Sequence, residues 1–115
     1  MFIENVRNIK SEVVTAAGAN NVTRQILISP EQGWQGWVMR LFTIGAGGHS
    51  NRHSHPWPHI VHVNGGEGTI FLDGKDYPVE PGSVANIPGG LEHQFTNCGQ
   101  TEFSFICVVP EEGNV

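Results

Sequence analysis

The sequence predicts a single all-β domain, a barrel or jelly roll of short strands, on three observations. The chain has 115 residues, about one domain's worth on the scale of roughly 100 to 200 residues per domain. Fifteen glycines and seven prolines interrupt it too often from Gly18 onward for helices of ordinary length. The runs between these breaks are rich in β-branched and aromatic residues, which suit a pleated, half-buried surface. Many short strands in one small domain leave edges to manage, and curling into a barrel or double sheet does so.

Taken in order, residues 1–19 show no regular pattern. They read as an arm able to pair with a neighbouring subunit, because Phe2, Ile3, Val6 and Ile9 have no obvious home in a small barrel, and a homodimer is expected. Strands are predicted at Val22–Ser29, Trp34–Ile44, His59–Asn64, Thr69–Asp73, Lys75–Val79, Ser83–Ile87, His93–Asn97 and Glu102–Val109. Asp73-Gly74 marks a two-residue hairpin of type I′, since both positions tolerate positive φ. Glu80-Pro81-Gly82 marks a second turn, with proline presetting φ and glycine accepting the left-handed region.

Six Lys and Arg face eleven Asp and Glu, for a net charge of −5. The basic residues Arg7, Lys10, Arg24, Arg40, Arg52 and Lys75 are scattered, which argues against nucleic acid and anionic membrane as partners. No apolar run reaches the ~18 residues of a bilayer span. The N-terminal stretch lacks the apolar core of a signal peptide, so a soluble cytoplasmic protein is expected. Cys98 and Cys107 form no redox or zinc spacing and are expected to stay reduced.

The histidines carry the chemistry. All six lie between His49 and His93, and five of them between His49 and His62; imidazole is the commonest metal ligand, and histidine-rich tracts are a compositional sign of metal binding. On a strand, His53 and His55 would project to one side. Pro56 and Pro58 then remove two ladder donors, and His59 opens the next strand with Val61 and Val63 on its face and Ile60 and His62 on the other. His93 follows the Pro88-Gly89-Gly90 turn, with Phe95 and Asn97 on its side.

These residues stand in two patterns. The first is Gly47-x5-His53-x-His55-x3-His59-x6-Gly66, and the second is Gly82-x5-Pro88-x-Gly90-x2-His93-x3-Asn97. In both, the chain resembles the cupins, small β-barrel (double-stranded β-helix) proteins defined by two motifs of this spacing. The resemblance is specific over 47–97, and flanking strands extend it over most of the chain, as in small single-domain bacterial cupins with four-histidine sites. It implies that His53, His55, His59 and His93 take the places of the family's metal ligands, with His59 where glutamate is usual. That exchange removes the one anionic ligand, so the site should be more Lewis acidic and should attract anionic substrates. Nitrogen donors suit Zn, Cu, Fe and Ni rather than Mg or Ca, and Mn stays open because cupins often carry it. His49, in a Gly-rich loop, and His62 are read as non-ligands.

Further candidates come from strand parity. Val38, Arg40, Phe42 and Ile44 share a face, and Arg40 is read as a pocket residue able to steer an anionic substrate or oxygen species. Cys107 shares a face with Phe103 and Phe105 and is a candidate pocket residue with Arg40. Phe105 and Trp57 are candidate substrate contacts, while Trp34 and Trp37 read as core or interface fillers. Glu92 has the opposite parity to His93 and should be solvated.

The favoured expectation is metal-dependent oxidation of a small organic substrate, of dioxygenase type, with two adjacent open positions on the metal. The alternatives are a non-redox lyase, isomerase or cyclase using Zn or Ni as a Lewis acid, and a non-catalytic small-molecule or metal-binding module. Because each ligand must be neutral to bind, metal affinity should fall steeply below about pH 6.5, approaching about four protons per metal.

Overall fold

A computed structural model describes residues 1–115. Nine strands follow in order: β1 (Glu12–Val13), β2 (Asn20–Ile28), β3 (Trp37–His49), β4 (His59–Gly65), β5 (Gly68–Leu72), β6 (Lys75–Val79), β7 (Val84–Ile87), β8 (His93–Thr96) and β9 (Phe103–Pro110). Three single 3-10 turns at Val6–Asn8, Pro30–Gln32 and Glu111–Gly113 complete the chain. All pairings are antiparallel, and the sheet runs β6-β5-β8-β3-β9-β4-β7, with β2 and then β1 branching from β3. The path ends at β6 and β7, so the sheet curls around its core without closing the hydrogen-bond circle. The fold is all-β.

Alternation builds the core. Along β9 the residues Phe103, Phe105, Cys107 and Val109 are buried and those between them are half-buried. His59, Val61 and Val63 of β4 are buried while Ile60, His62 and Asn64 are exposed, as the period of two requires. The two-residue turn at Asp73-Gly74 has φ of 46° and 88° and joins Leu72 to Lys75, the mirror-image geometry that suits strand twist. At the second turn the Ser83 N–H donates to the Glu80 carbonyl at 2.9 Å.

The long β3 organises the site end. Its residues 39–44 pair with β2 on one edge and β9 on the other, and its last residue, His49, pairs with Thr96 of β8. Arg40 thereby stands opposite Cys107, and Cys107 stands opposite Val61 of β4. Three neighbouring strands thus carry Arg40, Cys107 and His59 into the same interior.

The structure corrects several expectations. His49 ends β3 rather than lying in a loop, because the strand continues through Gly45–Gly48. His53 and His55 are not on a strand. They sit in an irregular segment with one isolated bridge, His53 to His93. Trp34 and Trp37 are not core residues, being 38% and 44% exposed with their rings stacked on each other at 6.3 Å. Part of the arm serves its own sheet: β1 pairs with β2, and Val14 and Ala19 pack on the core. Gln25 also donates to the carbonyls of Val6 and Ile9 at 2.8 Å.

Candidate metal centre

Two segments bring the four imidazoles together. The His53 and His93 backbones exchange hydrogen bonds, at 3.2 Å from His53 and 2.9 Å from His93, and the Gly90 N–H donates to the His55 carbonyl at 2.8 Å. Gly89 lies so close to the Pro56 carbonyl that a Cβ there would overlap it. The Pro-Gly-Gly turn is therefore a clamp that fixes the segment carrying His53 and His55, despite the two prolines that strip it of donors. Asn97 anchors the far end of β8 from a fully buried position: its amide donates to the carbonyls of Ile44 at 2.9 Å and Thr101 at 2.7 Å, and its oxygen accepts from Gly99 N–H at 2.9 Å.

His53, His55, His59 and His93 each offer a ring nitrogen within 4.8 Å of the others. His59 and His93 are buried, at 7% and 1% exposure, and His53 and His55 are half-buried. His49, with Nδ1 against its neighbour Ser50's carbonyl, and the exposed His62, paired with Asn64, lie outside the cluster, as expected.

The donor set fits a transition metal. His53, His55 and His93 each place Nδ1 at 2.8–2.9 Å from a backbone carbonyl, of Asn51, Trp57 and Leu91 respectively. A carbonyl only accepts, so at His55 and His93 Nδ1 carries the hydrogen and Nε2 keeps a free lone pair, the ligand tautomer seen when a second group orients a metal-binding histidine; at His53 the Asn51 side-chain nitrogen stands at the same 2.9 Å from Nδ1 as the carbonyl. Consistent with this, His93 Nε2 is buried without a hydrogen-bond partner, and the Nε2 atoms of His55 and His59 stand 2.6 Å apart. A cation would satisfy these convergent nitrogens together.

Burial favours the neutral form of three of the four. It pushes His59 down to about 2, helped by the charge of Arg40, and His93 down to about 4; His55 is lowered by the same cause. His59 and His93 are thus neutral between pH 5 and 7 before any metal binds, so fewer than the four protons expected from free imidazoles should be released there.

Around the cluster lies a cavity of about 660 Å³. Arg40 lines it at 4% exposure, with its guanidinium 3.3 Å from the Cys107 sulfur, 3.4 Å from His59 Nδ1 and 4.9 Å from the Phe42 ring centre. Burial lowers Arg40 and raises Cys107 from their ordinary values, and each opposes the other's shift. Phe105 and Trp57 also line the cavity. Trp57 stacks on His55 at 4.8 Å and 11°. Both cysteines are free, and Glu92 is exposed.

Arg24 escaped the sequence reading. It lines the same cavity, its Nε is buried without a partner, one Nη donates to the Val115 oxygen at 3.1 Å, and the other stands 4.0 Å from Glu12. Its place on β2 beside Arg40's strand was open to a parity argument, but the register that brings it to the cavity was not.

Residues 40–109 match the family described as Cupin domain. The chain belongs to the cupins. Among curated proteins, this cupin is similar to the 1-methylthio-D-xylulose 5-phosphate methylsulfurylase of Rhodospirillum rubrum, with 34% identity over 97 residues. The match covers 84% of the chain but only 61% of that relative's length. Among solved structures it is similar to the polyketide cyclase RemF from Streptomyces resistomycificus, with a TM-score of 0.90 and 28% identity over 96% of this chain and 79% of that one. It is also similar to a cupin-2 domain protein from Rhodospirillum rubrum, with a TM-score of 0.83 and 27% identity over 96% of this chain and 74% of that one. No helix of the cupin is long and apolar enough to cross a membrane.

Proposed function

We propose that this cupin is a metal-dependent enzyme that polarises the carbonyl of a small anionic substrate, in the manner of a cyclase, isomerase or lyase. The observation that carries the reading is a charge pattern. Four imidazoles and no carboxylate form the donor set, two arginines line the cavity beside it, one of them bonded to the Val115 oxygen, and the one acidic side chain on the wall is Glu12. A bound Zn, Ni, Mn, Fe or Cu ion would supply Lewis acidity there, undiminished by a carboxylate ligand.

The chain's own residues supply the rest. Arg24 and Arg40 draw an anionic substrate toward the cluster and favour negative charge developing on its oxygen, an effect strengthened where water is excluded. Val22, Ile44, Phe42 and Phe105 form the apolar wall that excludes it. Two proteins this chain resembles are named for carbonyl compounds, a polyketide and a xylulose 5-phosphate, which supports the substrate class.

The test compares the Zn-loaded and Fe(II)-loaded protein with a panel of α-hydroxyketones, 2-keto acids and 1,3-diketones in D2O, under argon and under air. Deuterium entering the carbon beside the carbonyl with Zn under argon is the expected result. Consumption that needs Fe and oxygen would replace this reading with the dioxygenase one. Binding without turnover under every condition would make the protein a ligand-binding module.

The working unit is further proposed to be a homodimer, on the exposure of Phe2, Ile3 and Val6 at 40%, 82% and 39%. Light scattering at micromolar concentration should give about twice the chain mass, and a value near 12.5 kDa would refute it.

A further inference from the structure

Three of the four imidazoles set Nδ1 against a backbone carbonyl, and His59 is the exception. Its Nδ1 meets no carbonyl. It faces the Cys107 sulfur at 2.8 Å and Nη2 of Arg40 at 3.4 Å. A guanidinium has only donors, and Nη2 of Arg40 lies 3.3 Å from the same sulfur.

Two arrangements are possible. If the sulfur accepts from Arg40 and from His59 Nδ1–H, the His59 hydrogen sits on Nδ1 and Nε2 keeps its lone pair for a metal. If instead Arg40 or the thiol donates to Nδ1, the hydrogen moves to Nε2. It then points at Nε2 of His55, 2.6 Å away, and His59 is lost as a ligand.

We propose that Cys107, held by Arg40, is the positioning residue that selects the ligand tautomer of His59, doing with a sulfur atom what carbonyls do for His55 and His93. The sheet register makes the arrangement rigid. Cys107 is paired across β9 with Arg40 on one side and with Val61, two residues from His59 on the same strand, on the other. Cys107 is 1% exposed, so no water competes for the acceptor. The inference rests on the four-histidine site and is independent of which reaction that site performs.

The experiment uses the full chain in four forms: wild type, Cys107→Ser, Cys107→Val and Cys98→Ser. Zn²⁺ affinity is measured by chelator competition, and the tautomer of His59 in the metal-free protein is read from long-range ¹H–¹⁵N spectra. Wild type should show His59 with hydrogen on Nδ1. Cys107→Ser, which keeps an acceptor, should hold Zn²⁺ within about threefold of wild type. Cys107→Val, which fills the space without one, should lose about ten- to a hundredfold in affinity, the usual cost of removing a ligand's orienting partner, and should shift the His59 hydrogen to Nε2. Cys98→Ser should change nothing.

Valine binding Zn²⁺ as well as serine does, or hydrogen on Nε2 of His59 in metal-free wild type, would overturn the inference. Should Cys107→Val not fold, the wild-type spectrum and the serine variant still decide it. Failure of wild type to bind Zn²⁺ at all would instead count against the metal site itself.

Discussion

At His59, a position where cupins usually carry glutamate, one side chain sets the charge of the whole site. Removing it should cost far more than removing its near neighbour. His59→Ala is expected to weaken Zn²⁺ binding by at least about tenfold, while His62→Ala, exposed on the opposite face of β4, should leave it unchanged. Chelator competition measures both, and equal losses would mean that His59 does not reach the metal. That these four histidines belong together was implied by the resemblance of the two motifs to those of the cupins, and the structure does cluster them. His53 and His55 do approach each other in the cluster, but not by strand parity, since their segment is irregular and is held by Gly90 and His93. The carbonyl partners of the Nδ1 atoms, the sulfur partner of His59 and the placement of Arg24 depend on register across strands, which local pattern does not carry.

The same buried imidazoles give a pH dependence whose sign follows from burial. Free histidine titrates near about 6.5, whereas His59 and His93 are held down to about 2 and about 4. As pH falls below about 6.5 the unfolded chain takes up protons on both, and the folded chain does not until about 4. Stability of the metal-free protein is therefore full above about pH 6.5 and declines between about 6 and 4.5, with a slope approaching two protons per chain. Urea unfolding at stepped pH checks this, and a midpoint that stays level from pH 7 to 5 would contradict it. For the same reason His59 and His93 should add no protons to those released on metal binding between pH 5 and 7, which chelator competition corrected for the chelator's own protonation will show.

Among the elements, the turns separate stability from site geometry. Gly74 lies in the type I′ turn at φ 88° with open space around a would-be Cβ, so Gly74→Ala should cost about 1 to 2 kcal/mol of left-handed strain and leave metal binding alone. Gly89 presses on the Pro56 carbonyl, so Gly89→Ala should displace the segment carrying His55 and lower Zn²⁺ affinity about tenfold. Thermal unfolding and metal titration of both variants should show the two effects apart, and similar metal affinities would remove the clamp from the account. The hairpin and the second turn were legible because glycine, proline and aspartate have strong conformational preferences. The C-terminal extension of β3 through Gly45–Gly48 was not. Its glycines read as a loop, and the strand is carried through them by long-range partners, with His49 paired to Asn20 and Thr96 and the Asn97 N–H donating to the Gly48 carbonyl, while Gly47 takes a φ of 74°.

For the molecule as a whole, the curled sheet was foreseeable from strand number and length, but its strand order was not. That order matters, because β3, β9 and β4 lie side by side and so deliver a guanidinium, a thiol and a ligand to one interior wall. The central claim is that this wall holds a single transition metal on four imidazoles, with Cys107 behind His59 rather than on the ion. X-ray absorption at the zinc edge of the stoichiometrically loaded protein tests it most directly. The account predicts a first shell of nitrogen and oxygen at about 2.0–2.1 Å, multiple-scattering features of four imidazoles, and no sulfur. A sulfur scatterer at about 2.3 Å, or a fit with only two imidazoles, would contradict it.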